Sequence, residues 1–264
     1  KLLKYIWNLV RLFSSSIQSK KSHNNISAPS DILKPSESNK PSNSSPSEFD
    51  RMLTGSMLGD GSITPPNRSR DKKQGKVGPS TGNCRYAMTM DRYSLAYLTT
   101  LYNMFAHLCS AAIIPYPNIN LPQHAGKTIT QYSFYTLSSP FFTRLHQLWY
   151  RYDRVLNCYI KIVPLCIGDM FTVVSLAHWI MQDGYFDNNG RTQTILLCTE
   201  CYTKDECILL QGVLRNMGIK STLKRRNKDK DTYRIRISKL SMPLVRQLVR
   251  PYMHPDFIYK LGEK

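Results

Sequence analysis

The chain has 264 residues, which is enough for one large domain or two small ones. Its 36 Lys and Arg residues outnumber its 18 Asp and Glu residues, and the formal charge of +18 predicts a polyanionic partner, either nucleic acid or an acidic membrane surface. Seven scattered cysteines, without a recognisable secretory cleavage site, argue against a disulfide-rich secreted protein and predict free thiols in a reducing compartment.

The N-terminal 46 residues predict no folded core. Residues 1–13 are apolar with three basic residues, but a bilayer span needs about 20 apolar residues, so we expect no stable membrane insertion. This segment is either targeting-like or the remnant of an upstream fusion. Residues 14–46 are rich in Ser, Asn, Lys and Pro, which is typical of a disordered linker. We therefore expect residues 1–46 to form a disordered or processed tail.

The first predicted helix runs from Ser47 to Gly61, and its residues Phe49, Leu53 and Met57 lie on one face that we assign to the core. A basic loop follows over residues 64–83, and it is either a solvated loop or a DNA-contacting one. Strands are then predicted at residues 85–90 and 128–137, and helices at residues 94–110 and 140–150.

The remainder of the chain repeats this scheme. It predicts a helix over 172–183, a strand over 192–199, a helix over 203–217, a hairpin of strands 222–227 and 232–238, a short helix over 240–249 and a terminal segment over 251–261. The order helix, strands, helix, strands, helix therefore occurs twice. This repetition indicates duplicated halves.

Two similar apolar runs lie in corresponding helices of the halves, and both end in Asp-Gly. The first is Leu-Thr-Gly-Ser-Met-Leu-Gly-Asp-Gly over residues 53–61, and the second is Leu-Ala-His-Trp-Ile-Met-Gln-Asp-Gly over residues 176–184. A single Asp-Gly is an ordinary helix stop. A carboxylate at a helix C-terminus costs about 0.3–1 kcal/mol, and two packed side by side also repel each other. We therefore predict a cation at Asp60 and Asp183, and Mg²⁺ suits such oxygen ligands.

The paired runs resemble the motifs of the LAGLIDADG homing endonucleases, in the single-chain form found in fungal mitochondrial introns. The resemblance covers about residues 47–264. It implies an α+β fold of two αββαββα halves, 47–160 and 161–264, related by a pseudo-twofold axis. The motif helices would pack at the centre, and two antiparallel sheets would form a DNA-binding saddle. It further implies a monomer in the mitochondrial matrix that uses Mg²⁺, with Mn²⁺ as a substitute.

The helix interface departs from the pattern of this family, which usually has small residues where the two backbones touch. Gly55 and Gly59 fit that pattern, whereas His178 and Gln182 do not. Our hypothesis is that the contact is lopsided, and that the glycines make room for the two larger side chains.

The resemblance also suggests which groups support catalysis. Asp60 and Asp183 would be the metal ligands, and the backbone carbonyls of Gly59 and Gln182 would also coordinate. Lys161 and Lys260 resemble the basic active-site lysines of the monomeric fungal enzymes, although either lysine could instead be a plain surface residue.

The strands are the predicted DNA-reading elements. Arg234, Arg236 and Ser238 alternate with apolar residues, which predicts a half-buried strand with one basic face. Such a two-stranded ribbon fits the major groove, where Arg pairs with guanine; a solvated sheet face is the alternative. The full set of candidates is Arg68, Arg70, Lys72, Lys73, Arg85, Gln131, Ser133, Tyr135, Lys224, Arg226, Arg234, Arg236 and Ser238. Arg68–Lys76 and Lys228–Lys230 are assigned to phosphates.

Three functions fit these features. The first is a site-specific, metal-dependent endonuclease that cuts both strands of a long asymmetric DNA site, because the polar residues of the two halves differ. The second is an RNA maturase that binds group I intron RNA and assists its splicing. The third is a basic binding protein in which both Asp-Gly pairs are simply helix stops.

Overall fold

The computed structural model describes residues 46–66, 82–189, 192–227 and 231–263. The predicted tail, up to residue 45, therefore lies outside the described residues. The same holds for part of the predicted basic loop and for the turn of the predicted hairpin, which together include Arg68, Arg70, Lys72, Lys73, Lys76 and Lys228–Lys230.

The predicted order of helices and strands is present in both parts of the chain. The first part contains α1 (Glu48–Leu58), β1 (Ser62–Thr64), β2 (Arg85–Asp91), α2 (Leu95–Phe105), β3 (Ile114–Tyr116), β4 (Gln131–Tyr135), α3 (Pro140–Trp149), β5 (Tyr150–Asp153) and β6 (Cys158–Lys161). The second contains α4 (Ile167–Met170), α5 (Val173–Asp183), β7 (Gly184–Asp187), β8 (Thr194–Cys198), α6 (Lys204–Asn216), β9 (Ser221–Asn227), β10 (Thr232–Ile237) and α7 (Met242–Val249). Short 3₁₀ turns, such as Pro255–Leu261, connect or extend these elements.

Two antiparallel four-stranded sheets of the same topology follow from this order. The first has the strand order β1-β2-β4-β3, and the second has the order β7-β8-β10-β9. Strands β5 and β6 form a separate two-stranded hairpin. The α+β class with a duplicated sheet topology is therefore confirmed.

Alternation of buried and accessible side chains is clear along β2 and β10, whereas the central strand β8 is buried on both faces from Thr194 to Leu197. In β2, Tyr86, Met88 and Met90 are buried, whereas Arg85, Thr89 and Asp91 are exposed. In β10, Ile235 and Ile237 are fully buried among the core residues. Helices α2, α3, α6 and α7 contribute apolar residues to the same continuous core. The polar residues of β2 and β10 therefore lie on the sheet faces opposite the core.

The two motif helices, α1 and α5, are in close contact at Gly55 of α1 and at Gly59, which directly follows α1. An added Cβ at Gly55 would lie 2.8 Å from the Cβ of His178, and one at Gly59 would lie 2.7 Å from the Cβ of Gln182. The hydroxyl of Ser175 also donates to the backbone carbonyl of Arg51 at 2.8 Å. Gly55 thus faces His178 and Gly59 faces Gln182, which is the arrangement that the lopsided contact requires.

The structure differs from the sequence predictions mainly at short elements. The first motif helix ends at Leu58, three residues before the predicted end, and the helix predicted to reach residue 110 gives way to a 3₁₀ turn after Phe105. Strands β1, β3, β5, β6 and β7 had not been predicted. The expected junction between the halves, at residues 160 and 161, falls within β6.

Among the described residues, none of the helices combines the length and the apolar composition that crossing a bilayer requires.

Candidate functional site

The C-terminal ends of the two motif helices carry the predicted acidic residues. Asp183 is the last residue of α5, and Asp60 lies in the turn that follows α1. The two carboxylates are close enough for the charge of Asp60 to raise the pKa of Asp183. The structure therefore brings together two side chains that are 123 residues apart in the sequence.

Lys161 lies beside the first acidic residue. Its Nζ donates to the backbone carbonyls of Gly59 at 2.9 Å and of Gly61 at 2.6 Å. These are carbonyls at the C-terminal end of α1, where a positive charge also interacts favourably with the helix dipole. Burial lowers the pKa of Lys161 to about 8, although both Asp60 and Asp183 act to raise it.

Lys260 occupies a comparable place in the second half. Its Nζ donates to the carbonyls of Met181 at 2.6 Å and of Gln182 at 3.3 Å, at the end of α5. The side chain is buried, and this burial lowers its pKa, while the charges of Asp60 and Asp183 oppose the decrease. Each predicted lysine therefore binds backbone oxygens next to one of the two acidic residues.

The acidic pair is destabilised in its charged form. Burial is the largest cause of the raised pKa of Asp183, which reaches about 7, and the neighbouring charge of Asp60 adds to it. Asp60 is accessible to solvent, but the surrounding protein removes enough water to raise its pKa as well. The two lysines reduce both shifts without cancelling them. The site therefore favours an additional positive charge.

This electrostatic arrangement predicts a pH dependence of stability. The folded protein holds a proton on Asp183 between pH values of about 4 and 7, where the unfolded chain has released it, so the free energy of unfolding falls as the pH rises through this range. The neutral amide introduced by Asp183→Asn mimics the protonated acid. We therefore expect the free energy of unfolding of Asp183→Asn, minus that of the unmodified protein, to be about 1–3 kcal/mol larger at pH 8 than at pH 5.

Urea denaturation in EDTA at the two pH values measures this difference. Asp169→Asn is the matched control, because Asp169 is exposed and lies in α4, outside the two motif helices. Parallel pH profiles for Asp183→Asn and the unmodified protein would show that the pKa of Asp183 is not raised in the folded protein.

The donors at the site fit a hard divalent cation. Asp60 and Asp183 supply carboxylate oxygens, and the carbonyls of Gly59 and Gln182 adjoin them. Both carbonyls accept a lysine hydrogen bond, but a carbonyl oxygen has a second lone pair. Within the described ranges, no three His, Cys, Asp or Glu side chains form a metal-binding group. An ion held here would therefore complete its coordination with water or a bound phosphate, as Mg²⁺ commonly does.

A cavity of about 300 Å³ opens beside Asp60. Its lining combines residues of both halves, including Thr89 and Gln131 of the first sheet and Gln182 and Lys260 of the second half. The acidic residue therefore adjoins the accessible face of the first sheet.

The predicted basic face of the second sheet is present. Lys224 pairs directly with Arg234 across β9 and β10, and Lys224 and Arg226 are exposed. Arg234 is the more firmly held of the arginines beside Glu200, because its guanidinium donates to Glu200 and to the hydroxyl of Tyr185, the latter at 3.0 Å. The Nε of Arg226 lies 4.0 Å from the same carboxylate, in a looser ion pair at an exposed position. Arg236 is half-buried, and Ser238 lies just beyond the end of β10.

The first sheet carries its candidate residues on one face as well. On β4, which pairs with β2 and β3, Gln131 and Tyr135 are exposed, whereas Ser133 is only 8% exposed. The guanidinium of Arg85 lies 4.8 Å from the centre of the Tyr135 ring. Arg85 and Tyr135 thus present a combined cationic and aromatic surface.

Some contacts at the site had no signal in the sequence. The Tyr202 hydroxyl donates to the carbonyl of Leu58 at 3.1 Å, and the Gln182 side chain accepts from the backbone N–H of Asp60 at 2.9 Å. The partners are more than 120 residues apart, so a single sequence offers no local pattern that links them. Neither Tyr202 nor the Gln182 amide was among the predicted catalytic groups.

Comparison with protein families gives a match over most of the described chain. A model described as the LAGLIDADG DNA endonuclease family matches residues 50–245.

Two curated relatives illustrate the functions of similar proteins. The chain is 31% identical over 218 residues to the cytochrome b mRNA maturase bI2 of Saccharomyces cerevisiae, in a match that covers 80% of this chain and 46% of the maturase. It is 24% identical over 215 residues to the DNA endonuclease I-ChuI of Chlamydomonas applanata, covering 80% of this chain and 93% of the endonuclease. The chain thus spans about half the length of the yeast maturase.

A solved structure shares the fold. The homing endonuclease I-WcaI, bound to its DNA recognition sequence, matches with a TM-score of 0.63 and 22% sequence identity, over 83% of this chain and 88% of that chain.

Proposed function

Because the chain belongs to the LAGLIDADG DNA endonuclease family, we propose that it is a site-specific endonuclease that cuts both strands of DNA with the help of a divalent metal ion. The observation that carries this proposal is the pair of carboxylates, Asp60 and Asp183, at the adjoining ends of α1 and α5. Each has a buried or half-buried lysine on the neighbouring backbone carbonyls. The number of acid–lysine pairs, two, equals the number of DNA strands to be cut.

In the proposed mechanism, the protein holds the metal ligands and two lysine ammonium groups in fixed positions. A divalent ion bound by Asp60 and Asp183, with Mg²⁺ or Mn²⁺ as the candidates, would lower the pKa of a water molecule and neutralise the scissile phosphate. Lys161 donates to the carbonyls on either side of Asp60, and Lys260 donates to the carbonyl that precedes Asp183. Their ammonium groups would stabilise negative charge on the transition state. The carbonyl hydrogen bonds hold both ammonium groups in place before DNA binds.

The accessible sheet faces are the proposed DNA-binding surface. On the second sheet, Lys224 and Arg226 are exposed and can approach bases or phosphates, while Arg234 is held by Glu200 and would position the surface rather than read a base. On the first sheet, Arg85, Gln131 and Tyr135 are the exposed candidates. Since the two faces carry different residues, we propose an asymmetric target, bound by one protein chain whose halves are residues 47–160 and 161–264.

Charge removal on this surface should weaken DNA binding in a salt-dependent way. Lys224→Ala is expected to lower the affinity for duplex DNA and to reduce the slope of log K against log salt by about 1. Fluorescence anisotropy at several salt concentrations measures both quantities. Arg215→Ala removes one positive charge from the exposed end of α6 and is the matched control. Equal losses in the two variants would show that β9 is not a DNA-contacting strand.

Cleavage itself tests the proposal. DNA that spans the intron-less insertion site is incubated with the protein in Mg²⁺ or in EDTA, and the ends are mapped by sequencing. We expect one double-strand cut that requires Mg²⁺. No cut, or a cut that persists in EDTA, would contradict the proposed function.

RNA maturase activity is the second candidate, because the chain is 31% identical to a cytochrome b mRNA maturase over 80% of its own length. The same basic surface suits group I intron RNA. Because this relative acts on cytochrome b mRNA by its name, we propose the mitochondrial matrix as the location of the protein. Splicing of the host intron with and without the protein separates the candidates, since a nuclease alone leaves the splicing rate unchanged.

A further inference from the structure

The backbone N–H of Asp60 lacks a helical partner within α1. The helix ends at Leu58. In a continued helix the N–H of Asp60 would donate to the carbonyl of Ser56, but here the N–H of Gly61 donates to that carbonyl at 2.8 Å. An unpaired N–H at a helix end is costly to leave unsatisfied. Here the N–H of Asp60 donates to the side-chain oxygen of Gln182 at 2.9 Å. The first acidic residue is therefore held by a side chain of the other half.

The Gln182 side chain is itself fixed on its other side. Its Nε2 donates to the hydroxyl of Ser56 at 2.9 Å and to that of Tyr97 at 3.2 Å. The Tyr97 hydroxyl is in turn 2.7 Å from Nδ1 of His178. Gln182 is only 9% exposed, so the amide has few alternative partners. Its oxygen is therefore directed at Asp60 by a buried network.

Within the part of the chain that the structure describes, no equivalent contact supports the second acidic residue. Asp183 ends α5 within a regular helical turn, since the N–H of Gly184 donates to the carbonyl of Ile180. The residue that faces Gln182 is Gly59, directly after the end of α1. An added Cβ there would lie 2.7 Å from the Cβ and from the Oε1 of Gln182, so this position has no room for a supporting side chain. Among the described residues, therefore, a side chain of the second half binds the backbone N–H of the first acidic residue, and no side chain of the first half does the same for the second.

We propose that Gln182 is a positioning residue that orients Asp60 from across the helix interface, so that cleavage of one DNA strand depends more strongly on Gln182 than cleavage of the other. The proposal rests on the proposed nuclease function. It assigns to the Gln182 amide a role that is separate from its backbone carbonyl. The cleavage rate of one strand therefore depends on the Gln182–Asp60 hydrogen bond, and that of the other strand does not depend on it to the same extent.

Strand-resolved cleavage tests this role. Gln182→Met keeps the approximate length of the side chain but replaces the amide oxygen by a thioether sulfur, which is a much weaker acceptor for the Asp60 N–H. With both strands end-labelled, we expect the ratio of the two strand-cleavage rates to change by about fivefold or more. Ser175→Ala is the matched control, because it removes another cross-helix hydrogen bond, to the carbonyl of Arg51, at the far end of the interface. This control should leave the ratio unchanged.

A measurement without cleavage supports the assignment. Amide hydrogen exchange of Asp60 should accelerate in Gln182→Met, while the amide of Gly184, bonded to Ile180, should keep its protection. If Gln182→Met does not fold, Tyr97→Phe decides, because it loosens the Gln182 amide and should shift the strand ratio in the same direction.

The outcomes are distinguishable. If the unmodified protein cuts neither strand, the proposed nuclease function fails. If it cuts both, but Gln182→Met or Tyr97→Phe slows them equally, Gln182 has only a structural role and the positioning proposal is overturned.

Discussion

Replacing Asp60 or Asp183 by asparagine is expected to lower the rate of DNA cleavage by about 1,000-fold. Asparagine keeps the shape of the side chain but removes one of the two negative charges that face each other at the ends of α1 and α5. A divalent ion would lose a charged ligand there, whereas the basic sheet faces would be unchanged. DNA affinity should therefore stay within about threefold of the unmodified value, because phosphate contacts dominate it.

Single-turnover cleavage and binding in Ca²⁺ measure the two quantities separately. Asp169→Asn serves as the control for removal of one exposed carboxylate. Since the metal-free stability of Asp183→Asn should be maintained or increased, a loss of cleavage cannot be attributed to unfolding. Wild-type rates in the double variant Asp60→Asn, Asp183→Asn would eliminate the acidic pair as the catalytic centre.

Substituting Gly55 is expected to have the largest effect on stability. An added Cβ would lie 2.3 Å from the backbone oxygen of Ser175 and 2.9 Å from its Cα, so α1 and α5 would have to separate. We expect Gly55→Leu to lower the free energy of unfolding by about 3 kcal/mol or more. At Gly59 an added Cβ would lie 2.7 Å from both the Cβ and the Oε1 of Gln182. The amide can rotate away but the Cβ cannot, so Gly59→Leu should also lower the stability and should displace the Gln182 amide from Asp60.

Thermal and urea denaturation of these variants measures the packing directly. Gly212→Ala in α6 is the matched control, because an added Cβ there meets no atom within 4 Å; it should be neutral or stabilising by about 0.5–1 kcal/mol. Unchanged stability and activity in Gly55→Leu or Gly59→Leu would show that the helices do not make the lopsided contact.

The sequence predicted the longer elements because their patterns are local. Helices α1, α5 and α6 carry apolar residues at helical spacing, and α5 and α6 also have capping boxes at Thr172 and Thr203. The missed strands are only three or four residues long. Strand β3 contains Pro115, which argues against a central strand. Its pairing with β4 is decided by tertiary contacts, and no local pattern reports them.

The site was predictable as a set of residues but not as a set of contacts. The repeated Asp-Gly ends identified Asp60 and Asp183, and the family resemblance suggested Lys161 and Lys260. The carbonyl partners of the lysines are about 80 or 100 residues away in sequence. The link from Gln182 to Asp60 is equally remote, and it exists only because the two helix ends meet.

The same limit applies to the basic face of the second sheet. Alternation in β10 correctly placed Ile235 and Ile237 in the core and the arginines on the other face. It did not show that Glu200 pairs with Arg234, because Glu200 follows a different strand, β8. Periodicity therefore predicts which face a residue occupies, whereas the partner on that face depends on strand order.

The most direct test of the account is the position of a metal ion in the DNA complex. Crystals of the protein with its target DNA and Mn²⁺, measured at the manganese absorption edge, locate the ion by its anomalous scattering. We expect a manganese ion about 2.1 Å from carboxylate oxygens of both Asp60 and Asp183, next to a DNA phosphate. An ion bound elsewhere, with the two carboxylates contacting only protein groups, would contradict the account.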